Sequence, residues 1–97
     1  MSELLTTARP YAKALFKSAK EQNLIDEYFE MLNNLLTVVS DKDVSKILSN
    51  DSHDGKYKSS LLTDILKKST NEHFNRFINL LIDNNRIDVV HEIKGLY

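Results

Sequence analysis

The stretch IDEYFEMLNNLLTVV (Ile25 to Val39) decides the fold class. Ile25, Tyr28, Phe29, Leu32, Leu35, Leu36 and Val39 recur at steps of three and four, the spacing that lines one face of an α-helix. Asp26, Glu27, Glu30, Asn33 and Asn34 turn away from that face. The segment is therefore amphipathic, and its stripe must be buried against other elements. A helix is predicted over 24–39.

Toward the C-terminus, Ser40-Asp41-Lys42-Asp43 ends this helix and offers a capping box to the next. Ser40 would accept from the Asp43 backbone N–H, and Asp43 would reach back. A short helix over 41–49 carries Val44, Ile47 and Leu48. SNDSHDG (Ser49 to Gly55) is rich in turn formers and reads as a loop. Next comes a helix over 56–68 on Tyr57, Leu61, Leu62, Ile65 and Leu66. Ser69-Thr70-Asn71-Glu72 is a second capping box, opening a helix over 70–84 with Phe74, Phe77, Ile78, Leu81 and Ile82 inward. Asp83-Asn84-Asn85-Arg86 is a helix end and turn, because Asn tolerates the left-handed backbone of a helix stop. A last helix over 86–97 carries Ile87, Val90, Ile93, Leu96 and Tyr97. Its pattern runs to the final residue, so the 97 residues are expected to be the N-terminal piece of a longer protein, with a frayed last turn.

On the N-terminal side, Glu21-Gln22-Asn23-Leu24 has no apolar rhythm and makes a short connection. The helix before it, over 3–21, keeps its period through Ala12, Leu15, Phe16 and Ala19. Pro10 has no N–H for the Thr6 carbonyl, so this helix is expected to start near Thr7 or to kink. Short links favour antiparallel neighbours, which gives an all-α, compact six-helix bundle as one domain over 1–97.

Composition agrees and excludes several functions. Two Gly and one Pro are too few for the turns of a β-sandwich or barrel. No apolar run approaches the roughly 18 residues that span a bilayer, so no membrane insertion is expected. Thirteen Lys+Arg against fourteen Asp+Glu give a net charge of −1, without the basic excess of a nucleic-acid-binding domain. Zero Cys removes disulfides, thiol nucleophiles and thiolate zinc sites. His53, His73 and His91 have no partner at metal-ligand spacing. Asp51-Ser52-His53-Asp54-Gly55 lacks the alternating ligands and distal Glu of a calcium loop. Nothing calls for a cofactor, and no catalytic residue is assigned.

Two helices carry more apolar surface than one core stripe needs. On the first, Ala8, Ala12, Phe16 and Ala19 form one face, and Thr7, Tyr11, Ala14 and Ser18 form a small-residue face beside it, with Leu4 and Leu15 on the border. On the helix over 70–84, Leu80 widens the surface, flanked by Arg76 and Asn84. Small residues admit a close helix and large ones anchor it, as a helix-in-groove site requires. The same faces also suit packing inside a bundle.

ARPYAKALFKSAKEQN (Ala8 to Asn23) resembles the opening of the delta subunit of F-type ATP synthase, the family of the mitochondrial oligomycin-sensitivity-conferring protein. Ala8, Arg9, Pro10, Tyr11, Ala12, Ala14, Leu15 and Phe16 meet the pattern A-R-P-Y-A-x-A-[LAI]-[FY] in full. FINLLIDNNRIDVVHEI (Phe77 to Ile93) is similar to a second family stretch, F-[LI]-x-[LV]-[LI]-x-[ED]-N-x-R-[LI], departing at Asn85, where many members have Gly.

The resemblance implies a six-helix N-terminal domain that binds the N-terminal helix of an alpha subunit between its first and fifth helices. It implies a non-catalytic stator subunit, peripheral on the cytoplasmic face of the bacterial inner membrane. The b subunits of the peripheral stalk would be engaged by a C-terminal domain absent from this chain. Carried over, the groove consists of Tyr11, Ala14, Leu15 and Ser18 on one side and Arg76, Phe77, Leu80 and Asn84 on the other, with Tyr28 nearby. Tyr11 and Phe77 are the expected anchors, and Arg76 would pair with an acid on the partner. Two other readings are a stand-alone adaptor for another amphipathic helix and a small helical enzyme.

Overall fold

The computed structural model describes residues 3–97. Its elements in chain order are α1 (Glu3–Glu21), α2 (Ile25–Ser40), α3 (Lys42–Ser49), α4 (Gly55–Ile65), α5 (Glu72–Asp83), a 3₁₀ turn (Ile87–Val89) and α6 (Val90–Leu96). No strand occurs among the described residues. The all-α six-helix bundle is what the periodicity required.

Two helix stops share a local cause. Asn23 (φ 58°) and Asn85 (φ 59°) take the left-handed conformation. After α1, the Leu24 N–H donates to the Ala19 carbonyl (2.8 Å) and the Asn23 N–H to Lys20 (3.2 Å). After α5, Arg86 donates to Leu81 (2.6 Å) and Asn85 to Ile82 (3.0 Å). Both are Schellman closures, which satisfy carbonyls that a helix end leaves orphaned.

The helix starts differ from the expected capping boxes. Asp41, not Ser40, caps α3, accepting from the N–H groups of Asp43 and Val44 (both 3.1 Å). Ser40 is still helical as the last residue of α2, so its backbone cannot act as an N-cap. Asn71, not Ser69, caps α5, accepting from Phe74 N–H at 2.8 Å. Asp54 caps α4, accepting from Tyr57 N–H at 2.8 Å, which makes Gly55 a helical residue instead of a turn. α4 stops at Ile65, short of Lys68, in a turn where Ser69 N–H reaches the Leu66 carbonyl. α1 runs from Glu3 through Pro10, so it does not begin near Thr7.

The core is built from one stripe per helix. Ala8, Ala12, Leu15 and Ala19 of α1 are buried and face chiefly α6, whose Val90 and Ile93 are buried too. Phe16, expected inside, is 37% exposed, and Leu15 takes the inner place at 3%. Tyr28, Leu32 and Leu35 come from α2, and Phe74, Phe77, Ile78 and Leu81 from α5. The Tyr28 and Phe74 rings meet edge to face at 5.8 Å, and Phe74 lies 5.8 Å from Phe77. Of the expected α4 stripe only Leu62 and Leu66 are buried, whereas Tyr57 and Ile65 are exposed. A helix this short docks through one narrow stripe, here onto α5.

The last turn packs against α1 and α2. Tyr97 Oη donates to the Ile25 carbonyl at 2.7 Å, and its ring meets Phe16 at 5.3 Å and Phe29 at 6.2 Å. Burial, with smaller contributions from Tyr28, Asp26 and Glu27, pushes the Tyr97 phenol up from 10.0 to about 12.

Two outcomes are expected in urea unfolding. Asn85→Gly should change stability by a few tenths of a kcal/mol at most, while Asn85→Val should cost about 1–2 kcal/mol, because a β-branched side chain clashes in the left-handed region. The contribution of Tyr97 should be complete below pH 10 and be lost as pH rises from 10 through about 12. In that window the unfolded chain releases a proton that the folded chain keeps. Tyr97→Phe should flatten this part of the alkaline stability profile.

Candidate helix-binding groove

At about 100° per residue, Tyr11, Ala14 and Ser18 lie along one flank of α1, beside its buried stripe. Arg76, Leu80 and Asn84 hold the corresponding flank of α5 and its C-cap. One hydrogen bond sets the two flanks side by side: Asn84 Nδ2 donates to Tyr11 Oη at 3.0 Å. It joins residues 73 positions apart in sequence.

The eight expected residues divide between surface and core. Ala14, Arg76, Leu80 and Asn84 are exposed, and Tyr11 and Ser18 are half-buried. Leu80, at 44%, is the large apolar group among them most open to contact. Leu15 (3%) and Phe77 (7%) belong to the core, so they form the floor and offer little surface to a partner. Tyr28 is buried beneath.

A polar relay not foreseen from the sequence orients Ser18. The buried Tyr28 donates its hydroxyl proton to Gln22 Oε1 at 3.0 Å, and Gln22 Nε2 donates to Ser18 Oγ at 2.8 Å. The signal was available, since Ser18 and Gln22 stand four apart on a helix end. Arg76 pairs with its own neighbour, Glu72, at 3.2 Å, with both side chains about two-thirds exposed. Such a pair contributes only about 0.3–0.5 kcal/mol, so an acid on another chain can replace Glu72 at small cost.

Among the described residues, no three His, Cys, Asp or Glu side chains converge as a metal site. His53 stacks on Tyr57 at 4.7 Å ahead of α4, and His73 and His91 are exposed. No helix of the described residues is long and apolar enough to cross a membrane. The arrangement places one exposed leucine, Leu80, and the small residues Ala14 and Ser18 on flanks joined by the Tyr11–Asn84 bond.

Residues 7–97 match the family model of the ATP synthase delta (OSCP) subunit. The chain belongs to that family. Its relatives include the ATP synthase subunit delta of Chromobacterium violaceum, 36% identical over 97 residues, which are 100% of this chain and 54% of the relative. Those of Hydrogenovibrio crunogenus and Marinomonas sp. are 34% and 37% identical with the same coverage. This delta-family chain thus spans about half the length of the curated relatives it matches.

Floor and rim should separate in unfolding experiments. Leu15→Ala should cost about 2–5 kcal/mol, as expected for a buried leucine. Leu80→Asp should stay within about 0.5 kcal/mol, as expected for a surface change. Equal losses would mean that Leu80 is part of the core.

Proposed function

We propose that the chain is the head-binding part of a non-catalytic stator subunit of F-type ATP synthase. It receives the N-terminal helix of an alpha subunit in the groove between α1 and α5. The rest of such a subunit, the C-terminal domain, would engage the b subunits of the peripheral stalk. Together they hold the catalytic head still while the rotor turns. The complex would sit peripherally on the cytoplasmic face of the bacterial inner membrane.

The observation that carries this reading is the pairing of exposed Leu80 with the small-residue flank of α1, joined by the Tyr11–Asn84 bond. Family membership supports it, and so does length. The 19 residues of α1 make a wall about 28 Å long, matching a partner helix of about 20 residues. A tether under torque calls for a contact dominated by apolar burial. About 1,000 Å² of buried apolar surface would contribute roughly 25 kcal/mol gross, much of it offset by the cost of association and ordering. Tyr11 serves as a ring anchor at the surface, while Phe77, packed on Phe74, is part of the core.

The test is a calorimetric titration of the chain with a synthetic peptide of the alpha subunit's first ~20 residues. Saturable 1:1 binding is expected, weakened by Tyr11→Ala and by Leu80→Asp about tenfold or more, roughly 1.4 kcal/mol each, with circular dichroism unchanged. A folded chain that ignores the peptide would refute the assignment of the groove.

A further inference from the structure

Two hydroxyl groups stand on the groove flank of α1. Tyr11 and Ser18 are seven residues apart, and both are half-buried. At the helical repeat they share one face, roughly 10.5 Å from each other, with Ala14 between them along the chain. Each oxygen already accepts a bond from a side-chain amide. Asn84 Nδ2, at the end of α5, donates to Tyr11 Oη at 3.0 Å, and Gln22 Nε2, just after α1, donates to Ser18 Oγ at 2.8 Å.

The protons of these hydroxyls are uncommitted. A serine or threonine inside a helix can give its proton to the carbonyl four residues back. Thr37 does so to Asn33 and Thr63 to Ser59, both at 3.0 Å. Ser18 departs from this habit. Among the described residues, neither Ser18 nor Tyr11 donates its proton to a protein acceptor. Gln22 sets the sense of the arrangement at Ser18. The fully buried Tyr28 donates its hydroxyl proton to Gln22 Oε1 at 3.0 Å, which turns Nε2 of the same amide toward the serine oxygen. Hydrogen bonds in such a chain polarise one another, so the outermost proton becomes a stronger donor.

We propose that Tyr11 and Ser18 form a pair of hydrogen-bond donors that selects a partner helix with two side-chain oxygen acceptors seven residues apart, and that Gln22 is the positioning residue for Ser18. The inference rests on the reading of this flank as a helix-binding groove. The acceptors are carboxylate or carboxamide oxygens, because the backbone carbonyls of a helix are bonded within it. A spacing of i and i+7 returns to one face of the partner and matches the distance between the two hydroxyls. Ala14 admits the partner closely enough for short side chains to reach. A helix without such acceptors would strand two hydroxyl protons away from water, and an unmade bond is more costly than a made one is favourable. Rejection of the wrong helix therefore adds to attraction of the right one.

The test is calorimetry of the 97-residue chain with the synthetic peptide of the alpha subunit's first ~20 residues. Tyr11→Phe, which keeps the ring, and Ser18→Ala should each weaken binding about threefold to tenfold, with circular dichroism unchanged. Gln22→Glu keeps an acceptor for Tyr28 but sets a carboxylate oxygen before Ser18, which then donates its proton inward. It should weaken binding by a similar factor in the parent chain and by less than about twofold in the Ser18→Ala background, a pattern that a merely structural defect would not give. An alanine scan of the peptide should find two oxygen-bearing side chains seven residues apart, one coupled to Tyr11→Phe and the other to Ser18→Ala. Unchanged affinity in Tyr11→Phe and Ser18→Ala, with Leu80→Asp still disruptive, overturns the donor pair and leaves the groove standing. A loss from Gln22→Glu that persists in full without the Ser18 hydroxyl overturns the positioning role. No binding by the folded parent chain refutes the groove and this inference with it.

Discussion

The close contact between α1 and α6 rests on three alanines, and much of the structure depends on it. Ala8, Ala12 and Ala19 are buried on the inner face of α1, and α6 presents Val90 and Ile93 to the same interface. Small side chains set a short interhelical distance. α6 has only seven residues, too few to hold a helix alone in water, so its conformation comes from docking. The Tyr97 hydroxyl on the Ile25 carbonyl adds the closing tie to α2. Because α1 contributes only a narrow stripe to the core, both of its flanks remain at the surface, one small and neutral, the other basic.

The second support is aromatic. Tyr28, Phe74 and Phe77 join α2 to α5 through successive ring contacts, and the Tyr28 hydroxyl reaches through Gln22 to Ser18 on α1. The floor of the groove is thereby connected to the centre of the bundle. Force applied at the rim would pass into packed rings, not into a loop. Packed interiors deform little, which is the property the proposed tether requires.

Most of the fold was legible because it is written in periodicity, and the parts that were not fail for a common reason. Ala8, Ala12 and Ala19 define a stripe from which Leu15 lies about 40° and Phe16 about 60° at the helical repeat, too small a difference for a pattern to rank. Tertiary contact decided: Leu15 went inward, and Phe16 turned to meet Tyr97. The capping boxes misled because several capping residues stand in a row, and which one caps depends on where the preceding chain stops being helical. α2 continues through Ser40, which leaves Asp41 as the junction between two helices. Asn85 was readable from its chemistry, whereas Asn23 hid in a segment noticed only for its lack of apolar rhythm. For the groove, the exposed Leu80 and the small flank were visible in the spacing. The Tyr11–Asn84 bond was not, since no local pattern encodes a contact across 73 residues.

An apolar trough on a small domain is tolerable only when its exposed groups are few. Leu80 is a single leucine, and Ala14 and Ser18 opposite it add little apolar area, so this flank presents a small apolar surface. In the proposed role a bound helix would supply the bulk that the flank of α1 lacks and complete the packing as a seventh helix of the bundle. Mass action makes that completion a source of stability, about 2.7 kcal/mol when the free partner is at a hundred times its dissociation constant. In the proposed role the partner is part of the same assembly and stays at high effective concentration. In that role the small residues that leave α1 underfilled alone would give a partner helix room to pack closely against it.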